Sequence, residues 1–249
     1  MEYIYFFLKF FINSYLLQFL STILSYNKIM RNYPEILKRN NIEAFFTEKI
    51  KNFEQFKNSL PIMKLYMPIQ RHTDLITVLR CYTKPEIADA IITDQREIFI
   101  GIKTADCLPV LIFDPENNII GAVHAGWRGT AKGILKKTII KMNEIYGCNP
   151  ENLLIAMGPC IKGCCYEVGE EVVEALKRET PAEDYILKRN GRIHVDLSMA
   201  NMLQVLVTGV KKENIWISED CTYCKHDHYA SYRFYGKTAE KQYGIIGML

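Results

Sequence analysis

Histidine is scarce in this chain. There are five in 249 residues, and His226 and His228 form the one His-x-His pair. A centre of several coppers ligated mainly by imidazole has too few donors here. An excess of one charge is also missing: 31 Lys and Arg against 28 Asp and Glu leave +3. No dense basic block occurs, and Lys136-Lys137 and Lys211-Lys212 read as solvated helix faces, which argues against a nucleic-acid partner. Eight cysteines are too few for a disulfide scaffold at this length. They read as reduced thiols, and the location expected from them is cytoplasmic. Repeats, low-complexity tracts and linkers are absent after Met30. What is there is globular in composition, 49% hydrophobic and 24% charged, which excludes a disordered or fibrous chain.

Residues 1–29 are unlike the rest. Phe10 to Asn27 carries no charge and is rich in Phe, Leu, Ile and Tyr. Asn13, Ser14, Gln18 and Ser21 dilute it as a membrane span. Glu2 and the poor cleavage site at Ser25-Tyr26-Asn27 weaken it as a signal peptide. The first reading is that translation starts at Met30, leaving 1–29 as a mis-assigned extension. An interfacial or membrane helix comes second, and membrane contact is expected only if that segment is real. Residues 30–249 read as one domain.

Within that domain strands and helices interleave irregularly. Strands are expected at 42–47, 64–69, 76–79, 88–93, 98–102, 153–157, 192–195, 215–217 and 243–249. Helices are expected at 34–41, 130–146, 169–179 and 197–208, with 53–59 helical or irregular. Thr130 reads as the cap of the second helix, and Gly147 as its stop. Antiparallel pairs among these elements point to an α+β fold of mixed sheets flanked by helices.

The most informative stretch is Thr104 to Gly129. Two apolar runs, 108–113 and 119–125, flank Asp114-Pro115-Glu116-Asn117-Asn118, which reads as a β-hairpin with a longer loop. Pairing Phe113 with Ile119 sets Cys107 opposite Ala125 and His124 opposite Leu108. Cys107 and His124 are then cross-strand neighbours, and Pro109 marks an expected bulge or edge. A thiol beside an imidazole is either a metal site or a nucleophile with its base. His72, in a polar segment after a short strand, completes a His/Cys/His set. Catalytic zinc commonly takes three protein ligands and leaves one position for water. Asp106 precedes Cys107 and points away from it in a regular strand, so it acts only if the chain turns there. Otherwise it bonds loop amides. Arg128 follows Gly126-Trp127 at a helix start, which suits an anion; the plainer reading is a loop arginine held by a carboxylate.

Three further motifs are weighed. Cys160, Cys164 and Cys165 read as small thiols lining a loop, because adjacent side chains diverge in a strand. Cys221-x2-Cys224 followed by His226 and His228 resembles a zinc knuckle but is too compressed, and a second zinc is not the favoured reading. Ser231-Tyr232-Arg233-Phe234-Tyr235-Gly236-Lys237 interleaves aromatics with bases, which suits either a stacked nucleobase or a strand with an aromatic core face.

The runs Thr104-Ala105-Asp106-Cys107-Leu108-Pro109, Gly121-Ala122-Val123-His124-Ala125-Gly126-Trp127-Arg128-Gly129, Gly158-Pro159-Cys160 and Cys165-Tyr166-Glu167-Val168-Gly169 resemble the laccase-domain family. That family was named for multicopper polyphenol oxidase and is now described as purine nucleoside phosphorylase with adenosine deaminase activity. The likeness covers about residues 42–249 and is most specific in 88–169. It implies a layered α+β sandwich similar to the catalytic domain of cytotoxic necrotizing factor. It implies zinc, or copper in the older naming, held by His72, Cys107 and His124. It implies purine nucleosides and phosphate as substrates: phosphorolysis of adenosine, inosine and methylthioadenosine, and deamination of adenosine. The chain departs from the family pattern in three places. Arg71 and Thr73 flank His72 where Val and Gly are usual. Thr47-Glu48-Lys49 lacks the usual arginine and glycines; if that arginine handles phosphate in the family, Lys49 would do so here as a point charge rather than a fork. Thr238-Ala239-Glu240 stands for Thr-Gly-Arg.

The expectation is a zinc enzyme acting on purine nucleosides, with Cys107, His124, Asp106 and Arg128 as its catalytic candidates. Its rivals are a metal-free cysteine hydrolase built on Cys107 and His124, a role in peptidoglycan precursor editing included, a copper polyphenol oxidase, and a non-enzymatic partner protein anchored by the apolar N-terminus.

Overall fold

A computed structural model describes residues 30–60 and 64–249. The apolar segment 1–29 lies outside the described residues. No helix among the described residues is long and apolar enough to cross a membrane.

Two mixed sheets stack face to face. One has six strands in the order β12-β9-β7-β8-β5-β4: Ile215–Ile217, Leu154–Met157, Leu108–Asp114, Ile119–Ala125, Ala90–Thr93 and Ile76–Val78. The other has five, in the order β1-β2-β13-β6-β3: Met30–Asn32, Ile42–Thr47, Gln242–Met248, Ile98–Thr104 and Lys64–Tyr66. Phe46, Ile100, Ile102, Leu111, Phe113, Ala122 and Ile246 fill the space between them. Strands β7 and β8 are buried throughout, so they read as continuous apolar runs rather than alternating ones.

Helices cover both outer faces. Helix α1 (Phe53–Ser59) lies on the five-stranded sheet, where Phe56 packs with Phe45, Phe99 and Ile245. On the six-stranded sheet lie α2 (Trp127–Ala131), α3 (Ile134–Tyr146), α4 (Glu170–Lys177) and α5 (Leu197–Leu206). Ile134, Leu135, Ile139 and Met142 of α3 meet Val110, Ile112, Val123 and Leu176 there. A short hairpin, β10 (Ile186–Arg189) with β11 (Arg192–Val195), and a one-turn helix α6 (Tyr232–Tyr235) complete the chain. The layered α+β arrangement is the one expected from the sequence.

Four local expectations need correction. The helix expected over 130–146 is two helices, broken at Lys132-Gly133, and Gly133 takes φ 69°, a conformation that suits glycine. Thr130 therefore lies inside α2 and does not cap α3. The 34–41 helix is a single 3₁₀ turn, Glu35–Leu37. The hairpin register is shifted by one: Phe113 pairs with Ile120, Leu108 with Ala125 and Pro109 with His124. Asp114 pairs with Ile119, so the loop is 115–118, one residue shorter than expected, and Asn118 closes it at φ 54°. Pro109 causes no bulge, as the ladder is continuous through it. Its carbonyl accepts from Gly158 N at 2.8 Å, one residue beyond the end of β9. A residue's N–H and C=O face the same neighbour in an antiparallel ladder, so the missing donor falls where that neighbour stops.

Candidate metal centre and active-site cavity

The open ends of β7 and β8 carry the site. Cys107 ends a bend just before β7, and Asp106 takes φ 78° to make it. The chain does turn at Asp106, and the turn consumes its carboxylate. Oδ1 accepts from Thr222 Oγ1 at 2.6 Å, and Oδ2 from Arg233 N at 2.6 Å. This is the loop-bonding arrangement, with one of its bonds to a backbone amide.

His124 lies near the end of β8 and is buried. Its Nδ1 is 2.7 Å from Oδ1 of Asp89, which is wholly buried. The same carboxylate accepts from the amides of Arg71, His72 and Thr73 at 3.1, 3.0 and 2.6 Å, and from Thr73 Oγ1 at 2.8 Å. Asp89 thus fixes both the His124 ring and the backbone turn that carries His72, where φ is 58°. Gln70 secures that segment from the other side. Its amide donates to Lys103 O at 2.8 Å and accepts from Lys103 N at 2.9 Å.

His72, Cys107 and His124 converge. Each offers a ligand atom, all within 4.8 Å of one another, and Cys107 Sγ is 3.9 Å from His72 Nε2. The His rings meet edge-on with centroids 4.8 Å apart. Two imidazoles and a thiolate are a donor set that zinc accepts. A buried carboxylate on the far nitrogen of one of them is the usual outer support of a metal-binding histidine. The three residues fit a metal ion on chemistry and on spacing.

Charge favours the thiolate form of Cys107. Burial opposes ionisation of Cys107, yet His124 and His72 outweigh it and bring the thiol down to about 6. Burial also disfavours charge on His124, and the Cys107 thiolate and Asp89 raise it instead to about 9. For Asp89, burial is outweighed by hydrogen bonds from His124, Thr73 and the Arg71 amide, so it stays well below the usual carboxylate range.

These groups open into a cavity of about 610 Å³, within the range of small-molecule sites. Its wall holds four cations, Lys103, Arg128, Arg233 and Lys241, and three large aromatics, Trp127, Tyr166 and Tyr232. Arg128 lies over the Trp127 ring at 4.3 Å. Both Arg233 terminal nitrogens donate to Glu167 O, at 3.0 and 3.1 Å. Burial and the neighbouring Lys103 depress Lys241. The aromatic and basic run 231–237 is helical at Tyr232–Tyr235, not a strand. Lys49 does not line this cavity; it donates to His226 O at 2.9 Å and, with Tyr235, lines a smaller one. Asp89, Lys241 and Gln70 were not singled out by the sequence reading. Asp89 lies between two alanines before an apolar strand, which gives no local signal of a buried carboxylate.

Residues 47–249 match the family model described as multi-copper polyphenol oxidoreductase laccase. The chain belongs to this laccase family. A purine nucleoside phosphorylase of Aquifex aeolicus is 35% identical over 220 residues, covering 88% of this chain and 98% of that protein. Adenosine deaminase RL5, from an unknown prokaryotic organism, is 39% identical over 154 residues, 61% of this chain and 58% of that protein. YlmD of Geobacillus stearothermophilus has the same fold, with a TM-score of 0.78 at 24% identity, covering 88% of this chain and 98% of that one. The laccase-family fold thus spans nearly all the described residues.

Proposed function

We propose that the chain is a zinc-dependent purine nucleoside phosphorylase that also deaminates adenosine. The observation that carries this reading is the convergence of His72, Cys107 and His124 at one wall of a cavity lined by cations and aromatics. The names of the phosphorylase and deaminase relatives support the substrate class.

Phosphorolysis breaks the bond from C1′ to the base nitrogen and forms a bond from C1′ to a phosphate oxygen. The base leaves with the electron pair and takes up a proton. Deamination forms a C6–O bond from water and releases ammonia. Zinc, when bound, supplies Lewis-acid polarisation and an activated water. His72, Cys107 and His124 hold it, and Asp89 keeps the His124 proton on Nδ1. Arg128, Arg233, Lys103 and Lys241 bind the phosphate. Trp127, Tyr166 and Tyr232 flank the flat base. Burial and the Cys107 charge push the Tyr166 phenol up, so it remains a neutral donor at the wall. The unit concerned is 30–249, and thiolate ligands suit a reducing, cytoplasmic compartment.

A second reading has one observation in its favour. The Cys107 thiol at about 6 facing His124 at about 9 is also the charge state of a cysteine nucleophile. Metal content and adenosine turnover in phosphate, before and after chelation of the full chain, decide between them. One zinc at this trio, with ribose 1-phosphate and inosine formed only when metal is bound, supports the zinc enzyme. Turnover that survives chelation and is lost on alkylation of Cys107 overturns it.

A further inference from the structure

A second group of thiols gathers where two loops meet. Cys164 and Cys165 lie in the turn that follows β9, and Cys221 and Cys224 lie in the turn that follows β12. Their four sulfurs all fall within 4.8 Å of one another. Cys224 Sγ is 3.2 Å from Cys165 Sγ and 3.7 Å from Cys164 Sγ. Four sulfurs at zinc–sulfur bonding distance from one tetrahedral ion are roughly 3.8 Å apart, so the group has the size of a single-ion cage.

The backbone around it is arranged for thiolates. Lys162 N donates to Cys221 Sγ at 3.4 Å, and the Cys224 amide also donates to that sulfur. Amide donors from the knuckle itself satisfy a charged sulfur. Adjacent cysteines diverge in a strand, but here the chain is a turn, with Cys165 N and Tyr166 N both donating to Lys162 O at 2.9 Å. That turn brings Cys164 and Cys165 to the same side. The histidines of the 221–228 segment go elsewhere: His226 stacks on Phe234 at 3.7 Å and its Nδ1 meets Tyr223 O at 3.0 Å, while His228 Nδ1 meets Glu48 Oε1 at 3.0 Å.

We propose that Cys164, Cys165, Cys221 and Cys224 bind a structural zinc ion, separate from the ion at His72, Cys107 and His124. Four soft thiolates with no open position select zinc over hard cations and leave no place for substrate. The ion would clamp two loops with direct bearing on the cavity. Tyr166 follows Cys165 and lines it, and Thr222 follows Cys221 and holds Asp106.

The test counts zinc at the two sites separately. In the full chain with His72, Cys107 and His124 all changed to Ala, elemental analysis should find about one zinc per chain, and adding Cys164→Ser with Cys224→Ser should remove it. The wild-type chain provides the check if those variants fail to fold. Titration with p-hydroxymercuribenzoate should release a zinc in step with modification of four thiols, mapped by mass spectrometry to 164, 165, 221 and 224. Cobalt substituted into the triple variant should give intense sulfur-to-cobalt charge-transfer bands. A folded triple variant that carries no metal when purified with zinc overturns the proposal. So does a mapped Cys165–Cys224 disulfide in wild-type protein purified under reducing conditions. Neither result touches the count at the His72 site.

Discussion

His124 Nδ1 lies 2.7 Å from Asp89 Oδ1, and the amide of His72 lies 3.0 Å from the same oxygen. One buried carboxylate therefore orients two of the three candidate ligands, from strand neighbours on one side and a loop on the other. Asp89→Asn keeps the shape but turns a donor toward amides that need an acceptor. The expected result is a loss of about 1–3 kcal/mol in unfolding free energy and a fall of roughly 10–100-fold in metal affinity. Denaturant titration and competition with a chromogenic chelator measure the two. Unchanged metal affinity in a folded variant would show that Asp89 has no part in positioning the ligands.

Gly126 gives a way to perturb the centre without touching a donor. Its φ of −69° and ψ of 170° suit any residue, but a Cβ there would come 2.9 Å from Cys107 Sγ and 3.3 Å from His72 Cδ2. Gly126→Ala should displace the thiol, leave the fold intact, and cut phosphorolysis by about tenfold or more, as a misplacement near 1 Å can. Steady-state kinetics beside near-ultraviolet circular dichroism reads both effects. Full activity would mean that Cys107 does not need its present position.

Arg128 rests on Trp127 and lines the cavity without a carboxylate partner among the hydrogen bonds and ion pairs described. Arg128→Ala should raise the KM for phosphate by about tenfold, equal to about 1.4 kcal/mol, and reduce the salt sensitivity of phosphorolysis. Deamination, which uses no phosphate, should change much less. Equal losses in both reactions would assign Arg128 to the nucleoside instead.

Asp114 supplies a pH test away from the centre. It is fully buried, and it accepts from Glu116 N, Asn117 N and Asn117 Nδ2 at 2.9, 3.2 and 2.9 Å. Burial raises its pKa, but the bonds from Asn117, Cys148 and Glu116 win and lower it. Its stabilisation is therefore complete above the unfolded value, about 3.9, and is lost as pH falls through the lower folded value. Asp114→Asn should be less stable than wild type at pH 7, with a gap that narrows below about pH 4. Urea titrations at the two pH values check it. A constant gap would remove Asp114 from the acid response.

Much of this was legible because the signal was local. Continuous apolar runs marked β7 and β8, and the Asp-Cys and His-Ala-Gly-Trp-Arg-Gly motifs drew attention to the residues that converge. The hairpin register was not legible, because it hangs on one residue, Asn118, entering the left-handed region. The break at Gly133 was hidden by apolar periodicity that runs on across it. Asp89 and the four-cysteine cluster were missed for a different reason. Their meaning lies in partners 35 and about 60 residues away, and nothing in the adjacent sequence announces them. The divergence of Cys164 and Cys165 was argued from strand geometry, and the chain at that point is a turn.

The position of β13 affects how the molecule is made. Residues 242–248 lie between β2 and β6, which leave the ribosome long before them. Until they arrive, two strands rich in Phe and Ile present unpaired edges, the kind of surface that joins with other chains. Asp106 likewise waits for Thr222 and Arg233. A nascent chain short of these residues is thus both catalytically blank and prone to aggregate, so holding by a chaperone during synthesis should matter more to its yield than refolding afterwards.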